Sequence, residues 1–426
     1  MKVSETAYTL VLVDEDGAQY DISDFAEDLG WEENEKELAL TIRFTVVTSD
    51  WKLQSIIKIG CVVIVMTNGA ERARGIINKV KTKLSLDEEK RTVTAYDELY
   101  NLKTSEDQML FAAGQTTKAI ITQIFNNWEI PLGEYTGADV THEKLLFRSG
   151  TLADNILDIL DDAVKKGGPP TILRAREGKI DVVKRESNGT VYLLDNEDTI
   201  SVEQEVSITD LVTRVKVVGK QDSTNKEEGV APVEAVLNGM TQFGIRQKIY
   251  SRDKDSTAEE AQTAAQAILD EKGEPKTTLT LKVPDVPDMR KGDSVFVHIG
   301  EMVAYYYVIS IRHEAKSGTM TVELKKSEVT DAAIDKLASL GVINSPDYWK
   351  EHIDDTKYLR GLVDKCAAVI TTCGTRASTL EEGVGYLMQA GLINSPAYWL
   401  NQTGNVAQMV MALGGAVKAS GAKIDG

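Results

Sequence analysis

Three cysteines, four histidines and no long apolar run are the first features of this 426-residue sequence. Cys61, Cys366 and Cys373 are an odd number with no C-x-x-C pair, which excludes a disulfide framework and a zinc site of that pattern. They are expected to be small, buried apolar residues. The longest apolar run, Ile59 to Met66, is far short of the roughly 20 residues a helix needs to cross a bilayer. The opening Met1-Lys2-Val3-Ser4-Glu5-Thr6 puts an acid where a secretory signal needs its apolar stretch, so synthesis in the cytoplasm is expected.

The shortage of histidine makes the search for chemistry brief. His142-Glu143 and His313-Glu314 begin like a zinc-protease motif, but Leu146 and Ser317 stand where the second histidine belongs. His298 falls on a predicted strand with Phe296 on the same face, and His352 lies on an acidic helix near Asp354 and Asp355; both read as structural. No G-x-S-x-G elbow, phosphate loop or dinucleotide fingerprint occurs. The turn Asp14-Glu15-Asp16-Gly17 lacks the further spaced ligands of a calcium loop. Asp158, Asp161 and Asp162 fall opposite Ile156 and Leu160 on a predicted helix, a solvated face and not a paired-carboxylate cleft. No catalytic residue, metal or cofactor is therefore expected.

Basic charge is also in deficit: 48 Lys and Arg against 66 Asp and Glu give a net charge of -18. That balance repels phosphate backbones and anionic lipid surfaces, so neither nucleic acid nor membrane is an expected partner. Lys79, Lys81 and Lys83 alternate with Val80 and Leu84 and read as the solvated side of a strand.

What is present is ordinary globular material, 42% apolar and 27% charged, of a length that suggests about three domains. Short strands are predicted at Tyr8–Val13, Ala18–Ile22, Leu38–Val46, Gly60–Val65, Arg74–Asn78 and Arg91–Tyr96. Two helical stripes follow, Ile120, Ile121, Ile124, Phe125 and Trp128, then Leu152, Ile156, Ile159, Leu160 and Val164, with strands at Thr171–Arg174 and Lys179–Lys184. Strand character returns at Thr213–Val218, Lys220–Gly229 reads as a mobile loop, and Ser256-Thr257-Ala258-Glu259 reads as the capping box of an inserted helix.

Two duplications organise the chain. Leu40–Phe44 corresponds to Leu279–Val283, Lys58–Val65 to Arg290–Val297, Ile76-Ile77-Asn78 to Val308-Ile309-Ser310, and Thr92-Val93-Thr94 to Thr319–Val322. The second repeat is sharper: Leu337–Trp349 recurs 50 residues later as Leu387–Trp399, each copy a helix ended by glycine, then Asn-Ser-Pro, then Tyr-Trp. Tyr348, Trp349, Tyr398 and Trp399 are either staples of a small helical core or an exposed aromatic surface for a protein or a cell-wall sugar.

The expected fold is therefore α+β and multi-domain. Residues 1–103 form a first tube-like β-barrel and 104–205 an α/β middle domain. Residues 206–328 form a second tube-like barrel with an inserted helix at 256–272, and 329–426 a helical repeat region. This order, with the turn Arg290-Lys291-Gly292-Asp293-Ser294-Val295 and the stretch Phe147–Leu157, resembles the baseplate hub family of contractile phage tails over roughly residues 1–328. It is most similar to the late-control-D type hubs of prophages and phage-tail-like bacteriocins. The resemblance implies a homotrimer acting as symmetry adapter, with partners in a hexameric tail tube protein, a central trimeric spike, other baseplate proteins and the tape measure protein. A peptidoglycan-binding or wall-hydrolysing tail component, and the tip protein of a non-contractile tail, are the alternatives.

Overall fold

The computed structural model describes residues 7–48, 55–84, 89–189, 192–219, 231–252, 257–300, 302–327, 329–353, 356, 358–393 and 395–421. It divides into two compact units, Met1–Ile200 with Lys282–Gly426, and Ser201–Leu281.

The first region contains β1 (Thr9–Val13), β2 (Gln19–Asp21), β3 (Ala26–Asn34), β4 (Thr41–Thr48), β5 (Val62–Thr67), β6 (Ala70–Leu84) and β7 (Glu89–Tyr96). Period-two alternation turns Leu10, Leu12, Ile42, Phe44, Val63, Val65, Ile77 and Val93 into one core. Each such side chain contributes about 1.5–3 kcal/mol by leaving water. The acidic hairpin turn caps itself: Asp14 Oδ1 accepts from the N–H groups of Asp16 and Ala18 at 3.0 and 2.9 Å.

The middle region contains α1 (Leu99–Thr104), β8 (Met109–Phe111), α2 (Thr117–Asn127), β9 (Leu132–Tyr135), β10 (Leu145–Phe147), α3 (Leu152–Lys165), β11 (Thr171–Arg176) and β12 (Lys179–Lys184). Thr116 and Thr151 cap α2 and α3 by accepting from Ala119 N and Asp154 N. The two predicted stripes bury together with Leu173, Ile180 and Val182. Trp128 and Val164 are exceptions: both are exposed, because α2 has ended by Trp128 and Val164 lies off the buried stripe near the end of α3.

Next come β13 (Tyr192–Asp195), β14 (Ser201–Ser207), β15 (Arg214–Val218), β16 (Val233–Asn238), β17 (Gln247–Ser251), α4 (Ala258–Lys272), β18 (Lys276–Pro284), β19 (Ser294–Ile299), β20 (Met302–Glu314) and β21 (Thr319–Lys326). In the smaller unit, β16, β15 and β17 form a sheet, on which Ala261, Ala265 and Leu269 of α4 pack against Val215 and Val217. The capping box lies one residue later than predicted, at Thr257 with Glu260. Ser256 and the Lys220–Gly229 segment lie outside the described residues.

The chain ends in α5 (Val329–Ser339), α6 (Pro346–His352), α7 (Leu359–Val369), α8 (Leu380–Gln389), α9 (Pro396–Leu400) and α10 (Gly404–Ala419). These helices share their own core, built on Ile334, Leu337, Leu362, Val363, Leu387, Val410 and Leu413.

The fold is α+β and mostly antiparallel, but among the described residues the strand pairing closes neither β region into a barrel. Instead, β3 pairs with β4 on one side and with β20 on the other, giving one 13-stranded sheet. Sequence patterning missed β3 because Ala26-Glu27-Asp28-Leu29-Gly30-Trp31-Glu32-Glu33-Asn34 is acidic and glycine-interrupted. Gly30 is required there, since a Cβ would stand 2.7 Å from the His313 carbonyl oxygen.

Within the sheet one strand order occurs twice. The path β3-β4-β7-β6-β5-β1 is repeated as β14-β18-β21-β20-β19-β13, with one difference: β1 joins β5 antiparallel, whereas β13 joins β19 parallel. The match extends to single bonds: Gly60 N donates to Ile77 O and Ile77 N to Cys61 O, as Gly292 N donates to Val308 O and Val308 N to Asp293 O. A bulge follows in both, between Ile77 and Lys79 and between Val308 and Ser310. Val308 is thus equivalent to Ile77, not to Ile76 as the sequence alignment had it. A one-residue slip reverses faces, and Ile77 and Val308 are buried while Ile76 is exposed.

Candidate functional site

The turn that carried the family resemblance is the most chemically loaded point of the larger unit. Arg290 makes a paired contact with Glu33 on β3, Nε to Oε2 at 2.6 Å and Nη2 to Oε1 at 2.5 Å, and also donates to Ala175 O at 3.1 Å. Lys291 Nζ donates to Leu38 O at 2.5 Å. Arg174 on β11 donates to Lys291 O at 2.8 Å and to Asp293 Oδ1 at 2.7 Å. Asp293 Oδ2 in turn accepts from Arg290 N at 2.9 Å. Asp97 sits nearby, its two oxygens taken by Leu40 N and Leu99 N. One buried charge network therefore ties the first β region, the middle region and the second β region together.

Its electrostatics follow from burial. Desolvation alone would raise the Glu33 carboxyl, but the charge and hydrogen bonds of Arg290 outweigh it and hold the group at about 2. Burial pushes the Asp97 carboxyl up to about 7 against the Leu40 N–H and the Lys291 charge. Burial lowers the Lys291 ammonium, with Glu33 and Asp97 opposing. Such a network gives little net stability over an apolar core, but it punishes the loss of any one member.

Two histidines sit in relays. His142 Nδ1 lies 2.6 Å from Asp162 and its Nε2 2.8 Å from Thr117 Oγ1. The order Asp-His-hydroxyl imitates a nucleophile relay, yet Thr117 is fully buried and its oxygen also meets Val140 N and O at 3.2 Å. No substrate face remains, so the trio fixes the start of α2 against α3. Asp162 is thereby a partner of His142 and Lys166, not a freely solvated acid as its place on the helix suggested. His313 is buried, stacked on Trp31 at 4.5 Å, with Nδ1 2.6 Å from Asp285 Oδ1. His298 is exposed and His352 leans on Tyr348 at 4.5 Å.

In the helical repeats, Trp349 and Trp399 are buried in the shared core. Their tyrosine neighbours differ. Tyr398 packs edge-on against Tyr358 at 5.3 Å. Tyr348 is 41% exposed and accepts from Asn405 Nδ2 at 3.1 Å. Tyr348 borders a groove of about 560 Å³ lined also by Asn344, Asn405, Gln408, Arg376 and Met409. Cys373 is on the same groove, exposed, its thiol donating to Gly341 O at 3.1 Å; the expectation of three buried cysteines holds only for Cys61 and Cys366. No helix among the described residues is long and apolar enough to cross a membrane.

Three solved structures that share this fold are tail proteins. The chain is similar to the tail protein from Neisseria meningitidis MC58 at 15% identity over 76% of this chain and 97% of that one, with a TM-score of 0.58. It is similar to the 43 kDa tail protein of prophage MuSo2 from Shewanella oneidensis at 15% identity, 75% and 98% coverage and TM-score 0.57. Prophage tail protein gp18 from Listeria monocytogenes EGD-e aligns at 16% identity, 75% and 94% coverage and TM-score 0.50. At these identities the likeness is one of fold, and the resemblance to tail hubs is borne out at that level. Residues 29–326 match the YQBQ-like family, and the chain belongs to it. No curated protein matches the sequence.

Proposed function

We propose that this chain is a structural protein of a phage tail or phage-tail-like particle, acting as its baseplate hub. Three copies bring six like β regions around one axis, so that one face mates with a hexameric tail tube protein and the other with a trimeric spike. The role is one of assembly, with no bond made or broken. The observation that carries this reading is the twice-used six-strand order within one chain, because a threefold object built of doubled units imitates a sixfold one. Native mass measurement of the purified chain, alone and with tube and spike proteins, is expected to give a trimer. A stable monomer in all three samples contradicts the hub.

A second reading concerns residues 329–426 alone, as a part that binds cell-wall glycan. It is favoured by the groove beside Tyr348, where three carboxamides, a guanidinium and an exposed ring line an apolar floor. Titration with chitotetraose tests it: binding lost in Tyr348→Ala but kept in Tyr398→Ala supports the groove, and equal behaviour of the two variants contradicts it.

A further inference from the structure

Among the described residues, the strands of the second β region pair with those of the first at one place, β20 with β3. The far half of β20, Ser310–Glu314, receives β3 along the edge that β19 has left, in the register Ser310↔Asn34 to Glu314↔Gly30. The duplicated strand order gives every part of this junction a counterpart elsewhere in the chain. The counterpart of β20 is β6, whose residues Lys79 to Leu84 follow the equivalent bulge and, among the described residues, pair with β7 on one edge, the pairing with β5 having ended at Ile76. The counterpart of β3 is β14, the terminal strand of the sheet path, exposed over nearly its whole length.

Both counterparts carry the marks of an interface left open. On β20 the residues facing the core under β3, Ile311 and His313, are fully buried. Their equivalents Val80 and Thr82 are half-buried and exposed, and Leu84 beyond them is 73% exposed. On β14, Val202 and Val206 are exposed. An unpaired, partly apolar strand edge is a site for another strand.

The register can be carried over. Ile200 N donates to Lys282 O, and Lys282 is the equivalent of Arg43, which stands opposite Gly30. Ile200 therefore corresponds to Gly30, and Glu203 to Glu33. The partner of Glu33 is Arg290, whose equivalent is Lys58, exposed on the first turn. One charge pair follows from this register: Glu203 on β14 meets Lys58, while Lys79, Lys81 and Lys83 project from the other face of β6, opposite Gln204, Val202 and Ile200.

We infer that β14 of one copy adds to the Lys79–Leu84 edge of β6 in the next copy of this chain, with Glu203 opposite Val80 and paired to Lys58. The inference rests on the hub reading and names its subunit contact: the junction inside each chain is repeated between chains. A head-to-tail contact of this kind closes into a ring when its rotation divides a full turn, and alternating like junctions within and between three chains make six.

The test uses the full chain with Cys373→Ser as background, carrying Val80→Cys and Glu203→Cys together, and separately Lys58→Glu, Glu203→Lys and their combination. Mild oxidation is expected to join the paired-cysteine protein covalently into trimers, with neither single cysteine cross-linking. Lys58→Glu is expected to weaken assembly by about tenfold, and the exchanged pair to restore it. Circular dichroism matching the parent checks that each variant is folded. A parent that is trimeric by native mass, with no cross-link and no rescue, overturns this contact and leaves the hub standing. A monomeric parent overturns both.

Discussion

The two glycine turns Lys58-Ile59-Gly60-Cys61 and Arg290-Lys291-Gly292-Asp293 share backbone geometry and hydrogen bonds but invert their chemistry. In the first, an apolar side chain faces water, Ile59 being 65% exposed; in the second a charged one is buried, Lys291 being 2% exposed. The difference teaches what each turn is for. A buried charged turn is tolerable only where carboxylates and carbonyls meet it, and Glu33, Asp293 and Leu38 do so. A bare isoleucine on the equivalent turn marks the same junction waiting for a partner.

The contrast is broken most severely at Glu33. Glu33→Ala leaves Arg290 and Lys291 buried without their carboxylate, and is expected to cost about 3–5 kcal/mol of unfolding free energy by urea titration. Lys58→Ala, at the exposed equivalent of Arg290, is expected to change monomer stability by no more than about 0.5 kcal/mol. Comparable losses at the two sites would undo the distinction.

The glycines sharpen it next. Both have positive φ, +94° at Gly60 and +78° at Gly292, but a Cβ on Gly60 meets open space whereas one on Gly292 strikes the Ile172 side chain at 2.1 Å. Gly60→Ala should cost about 1–2 kcal/mol for the left-handed backbone alone. Gly292→Ala should cost more, by about a further 1–3 kcal/mol of forced repacking. Equal midpoints in thermal melts would refute this ordering.

Acidity gives a subtler difference. Glu33, held at about 2, contributes stability that is complete above its unfolded value near 4.5 and is lost as pH falls toward 2. Asp97, raised to about 7, favours the fold when protonated; that contribution is full below its unfolded value of 3.8 and is lost as pH rises to about 7. Unfolding free energy followed against pH should rise from 2 to about 4.5, overlap with the fall set by Asp97, and decline toward 7. Asp97→Asn should remove the decline and keep the rise. A decline that survives the substitution assigns it to another group. The smallest effect is expected at Ile59→Ser, within about 0.5 kcal/mol for the isolated chain, while assembly is weakened.

Much of this was legible in the sequence where a local rule applied. Alternation located β1, β2, β4, β5, β6 and β7, and apolar stripes at helical spacing located α2 and α3. What escaped were features whose logic is long-range. β3 reads as a loop because its acids suit no isolated strand; Glu33 is there for Arg290, 257 positions away. Lys291 looks like a surface lysine until Leu38 O is beside it. The His142–Asp162 contact was hidden because helical phase placed Asp162 on a polar face without saying what covers that face. The repeated Tyr-Trp pairs were half legible: helical spacing argues for the buried tryptophans, but nothing local separates exposed Tyr348 from packed Tyr398.

The most direct test of the repeated junction is a three-dimensional image of the assembled oligomer. The account predicts a threefold ring in which six β regions lie at one radius with near-equal spacing, Lys79–Leu84 of each copy beside Ser201–Ser207 of the next. Three pairs held apart, or β regions at two different radii, would contradict it.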